Sequence, residues 1–302
     1  MSSINIYYDL KFAPTTFDFA VYLVVSNAVR QANGFKTMGV TIVCDEFRRW
    51  SVREKESKEG DRRWRVNHIL SKLASLIPEV NGVTISEIPL TEINFPAFPD
   101  GYPPPPGADF QFPYLAQHLK QFYNQGLNLR PFKSSEGAKI LINNLFDDNV
   151  ITISLRSSKF IPERNSNLDE WYKVYQELKK TKFRPIVIPC FEDYMGDKTF
   201  AKYDWEIFPP ATIDLDLKLA LYEKAFDNLC INNGASTLLI LSDCRYKHFK
   251  YVTEGVDNTQ PKHHKATMGI NPGDNFLFAA ESGQDLIWET DNADIILKAL
   301  DL

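Results

Sequence analysis

The sequence predicts an α/β protein with two lobes, each organised around a parallel β-sheet. Short β-branched runs alternate along the chain with segments whose apolar residues recur at helical spacing. This alternation occurs once in residues 1–148 and again in residues 149–302. Successive β-α-β units place their strands in parallel and cover the sheet with helices. We therefore expect an N-terminal lobe and a C-terminal lobe of the same general architecture.

The first lobe opens with a predicted strand over residues 3–10, in which Ile4, Ile6 and Tyr8 alternate with polar positions. The apolar run over residues 17–31 predicts a largely buried helix. Asn33-Gly34, a common helix stop, marks its end. The pattern further predicts strands over 38–44 and 82–88, and helices over 61–77, 114–125 and 137–146.

A Pro-rich segment over residues 96–113 interrupts this lobe, with four consecutive prolines at 103–106. Proline lacks a backbone N–H, so the segment is expected to form neither a helix nor a central strand. A rigid linker, a loop over a cleft and a Pro-rich recognition segment all remain open.

The second lobe begins with a β-branched strand over residues 149–155. A helix is expected over 168–180, since residues 165–167 are good caps and two acids occupy its first turn. The pattern also predicts strands over 184–189, 229–231 and 285–288, helices over 214–226 and 292–300, and a further apolar piece over 238–241.

Charge and composition exclude several classes of function. The net charge of −5 and the lack of a long basic run argue against nucleic-acid binding. The longest apolar stretch is too short to span a bilayer, so if the substrate is a membrane lipid its contact with the protein must be peripheral. Four widely spaced cysteines without a C-x-x-C pattern favour a reduced, cytoplasmic protein. His263-His264 is expected in a polar loop and is not a metal-binding pattern.

A basic loop follows the first strand of the second lobe, with Arg156, Ser157, Lys159 and Arg164 between that strand and the next helix. In open α/β sheets the ligand crevice lies beyond the carboxyl ends of the strands. Arginine can bind a phosphate through two hydrogen bonds, and lysine adds a point charge. The loop therefore predicts an anion site; a solvated basic loop is the alternative.

A turn of small residues follows a second buried strand of this lobe: Asn233, Gly234, Ala235 and Ser236. Small side chains allow phosphate groups to approach the backbone N–H groups at a helix start. Asn-Gly is also an ordinary turn signal. We expect this turn and the basic loop to lie side by side and form one site for two linked phosphoryl groups.

A catalytic base is expected from the first lobe, where a loop joins the first strand to the first helix and faces the cleft between lobes. Asp18 lies in the first turn of that helix, where an acid is also stabilised by the helix dipole. Asp9 and Asp45, each at the end of a predicted strand, are rival candidates. Asp214-Leu-Asp216 has the spacing of a metal-binding Asp-x-Asp pair, but a helix cap is the favoured interpretation.

Residues 149–302 resemble GT-B glycosyltransferases, particularly the bacterial heptosyltransferase and fucosyltransferase groups. The resemblance is carried by the strand and arginine at 153–156, by the helix, strand and turn over 214–236, and by residues 284–288 with the terminal helix. Ser154 stands where those families often have histidine, and Asn233 and Ala235 depart from their Asp-Ser-Gly turn.

The resemblance implies two Rossmann-like lobes and a transferase of polysaccharide biosynthesis. It would move a sugar from a nucleotide-sugar co-substrate to a sugar or glycolipid hydroxyl, with neither cofactor nor metal. Arg156, helped by Lys159 or Arg164 and the backbone of residues 233–236, would neutralise the leaving diphosphate. Asp18 would accept the proton of the acceptor. A catalytically inert nucleotide-sugar-binding or assembly protein, and a sugar-nucleotide epimerase, remain alternatives.

Overall fold

The computed structural model describes residues 3–49, 51–101, 103–104, 110–280 and 283–302. The chain divides into two compact units, Met1–Lys133 and Ser134–Leu302. This boundary precedes the predicted one after residue 148, because the helix Glu136–Leu145 packs against the helix Leu215–Lys224 of the second unit.

The first unit is built on four parallel strands: β1 (Ser3–Asp9), β2 (Thr37–Val43), β3 (Val80–Ser86) and β4 (Ala97–Phe98). They form one sheet in the order β3-β2-β1-β4, which confirms the parallel arrangement expected for this lobe. Its helices are α1 (Asp18–Ala32), α2 (Val52–Glu56), α3 (Glu59–Arg65) continued by a π-helical turn (Val66–Leu70) into α4 (Ser71–Ser75), and α5 (Phe112–Asn124).

The Pro-rich segment contributes β4, a two-residue strand at the edge of this sheet. The edge position agrees with the expectation that proline excludes a central strand. Residues 102 and 105–109, which include half of the four-proline run, lie outside the described residues.

Aromatic side chains fix α1 against the sheet of the first unit. The ring of Tyr8 on β1 lies 4.3 Å from that of Phe19 and 4.9 Å from that of Tyr22. Tyr22 donates its hydroxyl proton to the Tyr7 carbonyl at 2.6 Å, and Tyr8 donates to the Pro14 carbonyl at 2.8 Å. Each buried phenol therefore has an acceptor, as burial of a polar group requires.

The second unit contains five parallel strands: β5 (Val150–Ser154), β6 (Arg184–Ile188), β7 (Asp227–Ile231), β8 (Tyr246–Phe249) and β9 (Gln284–Leu286). Their order in the sheet is β6-β5-β7-β8-β9. The helices are α6 (Glu136–Leu145), α7 (Leu168–Leu178), α8 (Phe191–Met195), α9 (Pro209–Ile213), α10 (Leu215–Lys224), α11 (Thr237–Ile240), α12 (Pro261–Met268) and α13 (Ala293–Ala299).

Helix α7 begins at a buried carboxylate rather than at a side-chain cap from residues 165–167, and the prediction of such a cap was wrong. Asn167, the cap residue, makes no side-chain capping bond. Asp291, which is 2% exposed, instead accepts hydrogen bonds from the Asn167 backbone at 2.7 Å and from Trp171 Nε1 at 3.0 Å. Lys250 lies 3.4 Å from the same carboxylate and balances its charge.

Strand β6 forms one edge of the second sheet, and a short downstream segment covers part of it. The Val187 backbone N–H donates to the Glu206 carbonyl at 2.8 Å, and the Phe208 N–H donates to the Val187 carbonyl at 3.3 Å. Pro185, on the same strand, has no backbone N–H. The outer edge of β6 therefore presents few free backbone N–H groups to another strand.

Several elements of the second unit were not predicted, including the short helices α8 and α9. Strand β8 was not predicted, although its Tyr246, His248 and Phe249 are buried. His263-His264, expected in a polar loop, lies within helix α12. His264 on that helix is buried and stacks on Tyr251 at a ring distance of 4.3 Å, so the helix packs through an aromatic contact.

Candidate functional site

The strand order of the second unit creates a topological switch point. The chain leaves β5, forms β6 on one side of it, and then crosses to form β7 on the other side. Ser154 at the end of β5 is paired with Cys230 near the end of β7. Connections that leave neighbouring strands in opposite directions open a crevice at their carboxyl ends. The basic loop and the turn at residues 232–236 both begin at that edge.

A side chain of the basic loop joins these two stretches. Arg164 donates from Nη2 to the carbonyl oxygen of Asn232 at 3.1 Å. The structure therefore brings together the two stretches that the sequence predicted to be neighbours. It places one arginine of the loop directly against the turn.

Arg156 is held within its own loop. The side chain is 7% exposed, and its guanidinium donates to the carbonyls of Ile161 at 3.0 Å and Phe160 at 2.5 Å and to the side chain of Asn165. Its backbone N–H donates to Ser166 Oγ at 2.9 Å. Arg156 thus organises the loop in this structure, and its predicted contact with a phosphate would be made in addition to these bonds.

An acidic segment after β6, residues 191–199, contacts the other polar residues of the loop. Ser158 donates to Glu192 at 2.6 Å, and Lys159 lies 3.1 Å from Asp197. Ser157 and Thr199 share a hydrogen bond between their hydroxyls at 3.2 Å. The Lys159 side chain is 87% exposed, so this ion pair is accessible to water and to competing anions.

The turn at residues 233–236 is a single 3₁₀ turn that leads into α11. Asn233 accepts a hydrogen bond at Oδ1 from the Ser236 N–H at 2.9 Å, and Ser236 Oγ donates to the Asn233 carbonyl at 2.7 Å. Gly234 and Ala235 lie in the first turn, where backbone N–H groups have no helical acceptor. The turn can therefore offer these two N–H groups to an anion, whereas the polar groups of Ser236 already have partners within it.

Sequence reasoning missed Lys250 and His248, which lie on or after the unpredicted strand β8. Lys250 donates to the Asn165 carbonyl at 2.6 Å and so supports the basic loop from the other side. His248 is 1% exposed, and its pKa is lowered to about 3, chiefly by burial and in smaller part by the Arg164 guanidinium. The histidine is therefore neutral at physiological pH and lies near the same arginine that reaches Asn232.

The Asp-x-Asp pair caps a helix, as expected. Asp214 accepts hydrogen bonds from the backbone N–H groups of Asp216 at 2.8 Å and Leu217 at 3.0 Å. Asp216 accepts from the Ser135 N–H at 2.8 Å and from its hydroxyl at 2.6 Å. Among the described residues, no three His, Cys, Asp or Glu side chains are grouped so that they could hold a metal ion.

Of the three candidate bases of the first unit, Asp9 and Asp45 lie at the carboxyl ends of neighbouring strands and Asp18 lies at the start of α1. Asp18, in the first turn of α1, accepts a hydrogen bond from the Thr16 hydroxyl and is partly buried. Asp9, at the end of β1, accepts from the Lys11 N–H at 2.9 Å. Asp45 follows β2, and its Oδ1 is buried. The pKa of Tyr8 is raised by burial and then by the negative charge of Asp18.

Comparisons with solved structures identify the fold. The ADP-heptose LPS heptosyltransferase II of E. coli superposes with a TM-score of 0.55 at 10% identity, over 100% of this chain and 98% of that one. The glycosyl transferase family 9 protein of Veillonella parvula DSM 2008 gives 0.53 at 8% identity, over 99% and 90%. The chain thus has a GT-B-type α/β fold, and the predicted fold class is confirmed.

The sequence itself matches no protein-family model and no curated protein. None of the helices in the described part of the chain is long and apolar enough to cross a membrane.

Proposed function

We propose that this chain, with its GT-B-type fold, is a glycosyltransferase that moves a sugar from a nucleoside-diphosphate sugar to a hydroxyl acceptor. The observation that carries the proposal is the contact between Arg164 and Asn232 at the switch point of the second sheet. It brings a cationic loop to a turn whose backbone N–H groups lie at a helix start, which is the chemistry that binds linked phosphates.

In the proposed reaction the bond between the anomeric carbon and the diphosphate breaks, and a new bond forms to the acceptor oxygen. The diphosphate leaves with the electron pair of the broken bond. Arg164 and Lys159, with the N–H groups of Gly234 and Ala235, would stabilise its charge, while Arg156 would hold the loop in shape. Side chains would provide this stabilisation in place of a bound metal. Asp18 would accept the proton of the acceptor hydroxyl.

The acceptor class in this proposal is a sugar or glycolipid, with peripheral contact at a membrane in the latter case. The proposal includes a cytoplasmic location, because all four cysteines are free thiols and three of them are buried. A role in polysaccharide biosynthesis follows from this acceptor class.

A first experiment tests donor binding. Thermal unfolding would be measured with ADP-, UDP-, GDP-, CMP- and dTDP-sugars, because a ligand that binds only the native state raises its apparent stability. At least one donor is expected to raise Tm in a concentration-dependent way. If none does so up to millimolar concentration, the proposal is wrong.

A second experiment identifies the base. Transfer of the best donor to sugar and glycolipid acceptors would be followed by release of the nucleoside diphosphate in three matched variants, Asp18→Asn, Asp9→Asn and Asp45→Asn. Asp18→Asn is expected to retain donor binding and lose turnover. Loss of turnover in one of the other two variants alone would transfer the role to that residue.

A catalytically inert nucleotide-sugar-binding protein is the second candidate. It is favoured by one observation: Arg156 and Lys159 have carbonyl or carboxylate partners in the free chain, as structural residues do. In that case a donor would bind and raise Tm, but no acceptor in the panel would cause release of the diphosphate.

A further inference from the structure

A cleft on the second unit lies away from the proposed donor site. Its volume is about 350 Å³, and it is bounded by the end of α7, the start of β6 and the segment 204–206. This volume falls within the range of small-molecule sites, about 300–1,000 Å³. The proposed mechanism uses none of the residues that line it.

The cleft and the basic loop lie at opposite ends of β6. Arg184 and Pro185 line the cleft and are the first two residues of the strand. The loop begins beside its last residue, since the Leu155 N–H donates to the Ile188 carbonyl at 3.1 Å. A strand of this length covers about 13 Å at about 3.3 Å per residue. A ligand in the cleft therefore leaves the switch point open to phosphates.

Three aromatic rings line the cleft. Tyr175 and Trp205 are 3% and 8% exposed, and their rings meet edge to face at 5.6 Å. Their polar atoms already have partners: the Glu206 N–H donates to the Tyr175 hydroxyl at 2.7 Å, and Trp205 Nε1 donates to the Phe200 carbonyl at 2.6 Å. Phe183 is half-buried and adds the third ring. The rings are therefore fixed by the fold and offer carbon atoms, against which C–H groups of a ligand can pack.

The exposed polar side chains of the cleft have hydrogen-bonding capacity to spare. Arg184 donates from Nε to Glu206 Oε1 at 3.0 Å, and Glu206 Oε2 has no partner among the described residues. The Lys179 ammonium lies 5.5 Å from the centre of the Tyr175 ring. Within the same part of the chain, Lys179 has no carboxylate partner and the Asp204 carboxylate has no donor. Donors and acceptors for a ligand are thus present together.

The charges that line the cleft balance one another. Arg184 and Glu206 form an ion pair, and the two remaining groups, Lys179 and Asp204, have opposite signs. An anion is attracted by the ammonium and repelled by the carboxylate, and the reverse holds for a cation. A neutral ligand with several hydroxyl groups can instead donate to the carboxylates and accept from the ammonium.

We propose that this cleft is a second carbohydrate site, which binds a neutral saccharide away from the donor phosphates. The C–H groups of the sugar would pack on the aromatic rings, and its hydroxyl groups would bond to Lys179, Asp204 and Glu206. The inference does not depend on the proposed function, because the lining of the cleft alone carries it. The same lining suits a free sugar and a sugar within a glycan chain.

The test uses saturation-transfer NMR and calorimetric titration. The probes are methyl glycosides of glucose, galactose, mannose and N-acetylglucosamine, each with a disaccharide of the same sugar. At least one probe is expected to bind the wild type with a Kd of about 0.1–10 mM, because a small, open cleft buries little of its ligand. Tighter binding of the disaccharide would identify a glycan chain as the source, and equal binding a free sugar.

Matched variants locate the bound saccharide. Asp204→Ala and Lys179→Ala are each expected to weaken binding by at least about fivefold, through the loss of a hydrogen bond to a charged group. Both side chains are exposed, so Tm should stay as in the wild type. Lys180→Ala removes the neighbouring lysine, which pairs with Glu177, and is the control that should bind normally.

Three results would overturn the inference. In the first, no saccharide of the panel binds the wild type at up to about 100 mM. In the second, a saccharide binds Asp204→Ala and Lys179→Ala as tightly as the wild type, which places it elsewhere on the molecule. In the third, the two variants weaken binding of pyrophosphate or phenylalanine instead, which assigns the cleft to a charged ligand.

The proposed function is tested separately from this site. Asp204→Ala and Lys179→Ala should bind nucleotide sugars as the wild type does, because the cleft lies at the other end of β6. If the wild type binds no nucleotide sugar but binds a saccharide that these variants lose, the proposed function fails and the second carbohydrate site stands.

Discussion

Arg164 donates a hydrogen bond from its guanidinium to the carbonyl oxygen of Asn232 at 3.1 Å, and so links the loop after β5 to the turn after β7. The two residues lie in the connections that follow the neighbouring strands β5 and β7, between which the switch point opens. A single side chain therefore fixes the spacing between the cationic loop and the N–H groups of the turn.

Replacement of Arg164 by alanine is expected to weaken nucleoside-diphosphate binding about 10- to 100-fold, because it removes a charge-assisted bond and the tie between the loops. Calorimetric titration would measure the change in Kd. Arg184→Ala, at the amino end of β6 and paired with Glu206 on the surface, is the control and should bind as the wild type does. An unaltered Kd in Arg164→Ala would exclude this arginine from the phosphate site.

The acidic segment after β6 competes with anions for the basic loop. The double variant Glu192→Gln, Asp197→Asn removes the acceptor of Ser158 and the partner of Lys159, and should tighten pyrophosphate binding by up to about fivefold at low salt. The gain should shrink as salt is added, because screening weakens exposed ion pairs. Weaker binding by this variant would show that the two carboxyls help to bind the ligand.

His248 should make the second unit sensitive to acid. Its folded pKa of about 3 lies below the unfolded value of about 6.5, so the unfolded chain binds more protons between these values. The contribution of the neutral imidazole to stability is intact above pH 6.5 and is lost as the pH falls towards 3. The free energy of unfolding lost in this way is roughly 3 kcal/mol at pH 4.

Denaturant unfolding at a series of pH values tests this contribution. His248→Leu should lose less stability than the wild type between pH 6.5 and pH 4. Parallel curves for the two proteins over this range would contradict the neutral state of the buried imidazole.

Asp291 is expected to be essential to the stability of the second unit. It accepts hydrogen bonds from Trp171 and from the start of α7, and its loss would leave Lys250 without its carboxylate. Asp291→Ala should lower the free energy of unfolding by about 3–5 kcal/mol, as removal of one partner of a buried ion pair does. Asp204→Ala, an exposed acid, should change it by less than about 0.5 kcal/mol. Similar unfolding curves for the two variants would contradict this role.

The order of strands and helices could be predicted because the apolar period is strong where an element is buried on one side. Strand β8 escaped prediction since Lys247 and His248 interrupt its apolar pattern, and the burial of His248 depends on neighbours distant in sequence. The boundary between the units depends on the packing of α6 against α10, which no local pattern reveals.

The candidate site could be predicted only in outline. The cations after β5 indicated an anion site, and the small residues at 233–236 indicated a turn beside it. The pairing of β5 with β7 brings the loop and the turn together. The sequence could not distinguish Arg156, whose guanidinium is held by carbonyls of its own loop, from Arg164, which reaches the turn.

The protected edge of β6 has a consequence for behaviour at high concentration. An open strand edge is a template on which another molecule can add a strand and start aggregation. Here Val187 is already paired with the segment around Glu206, and Pro185 cannot donate a hydrogen bond. Addition of a further strand to the sheet by self-association is therefore disfavoured at the β6 edge.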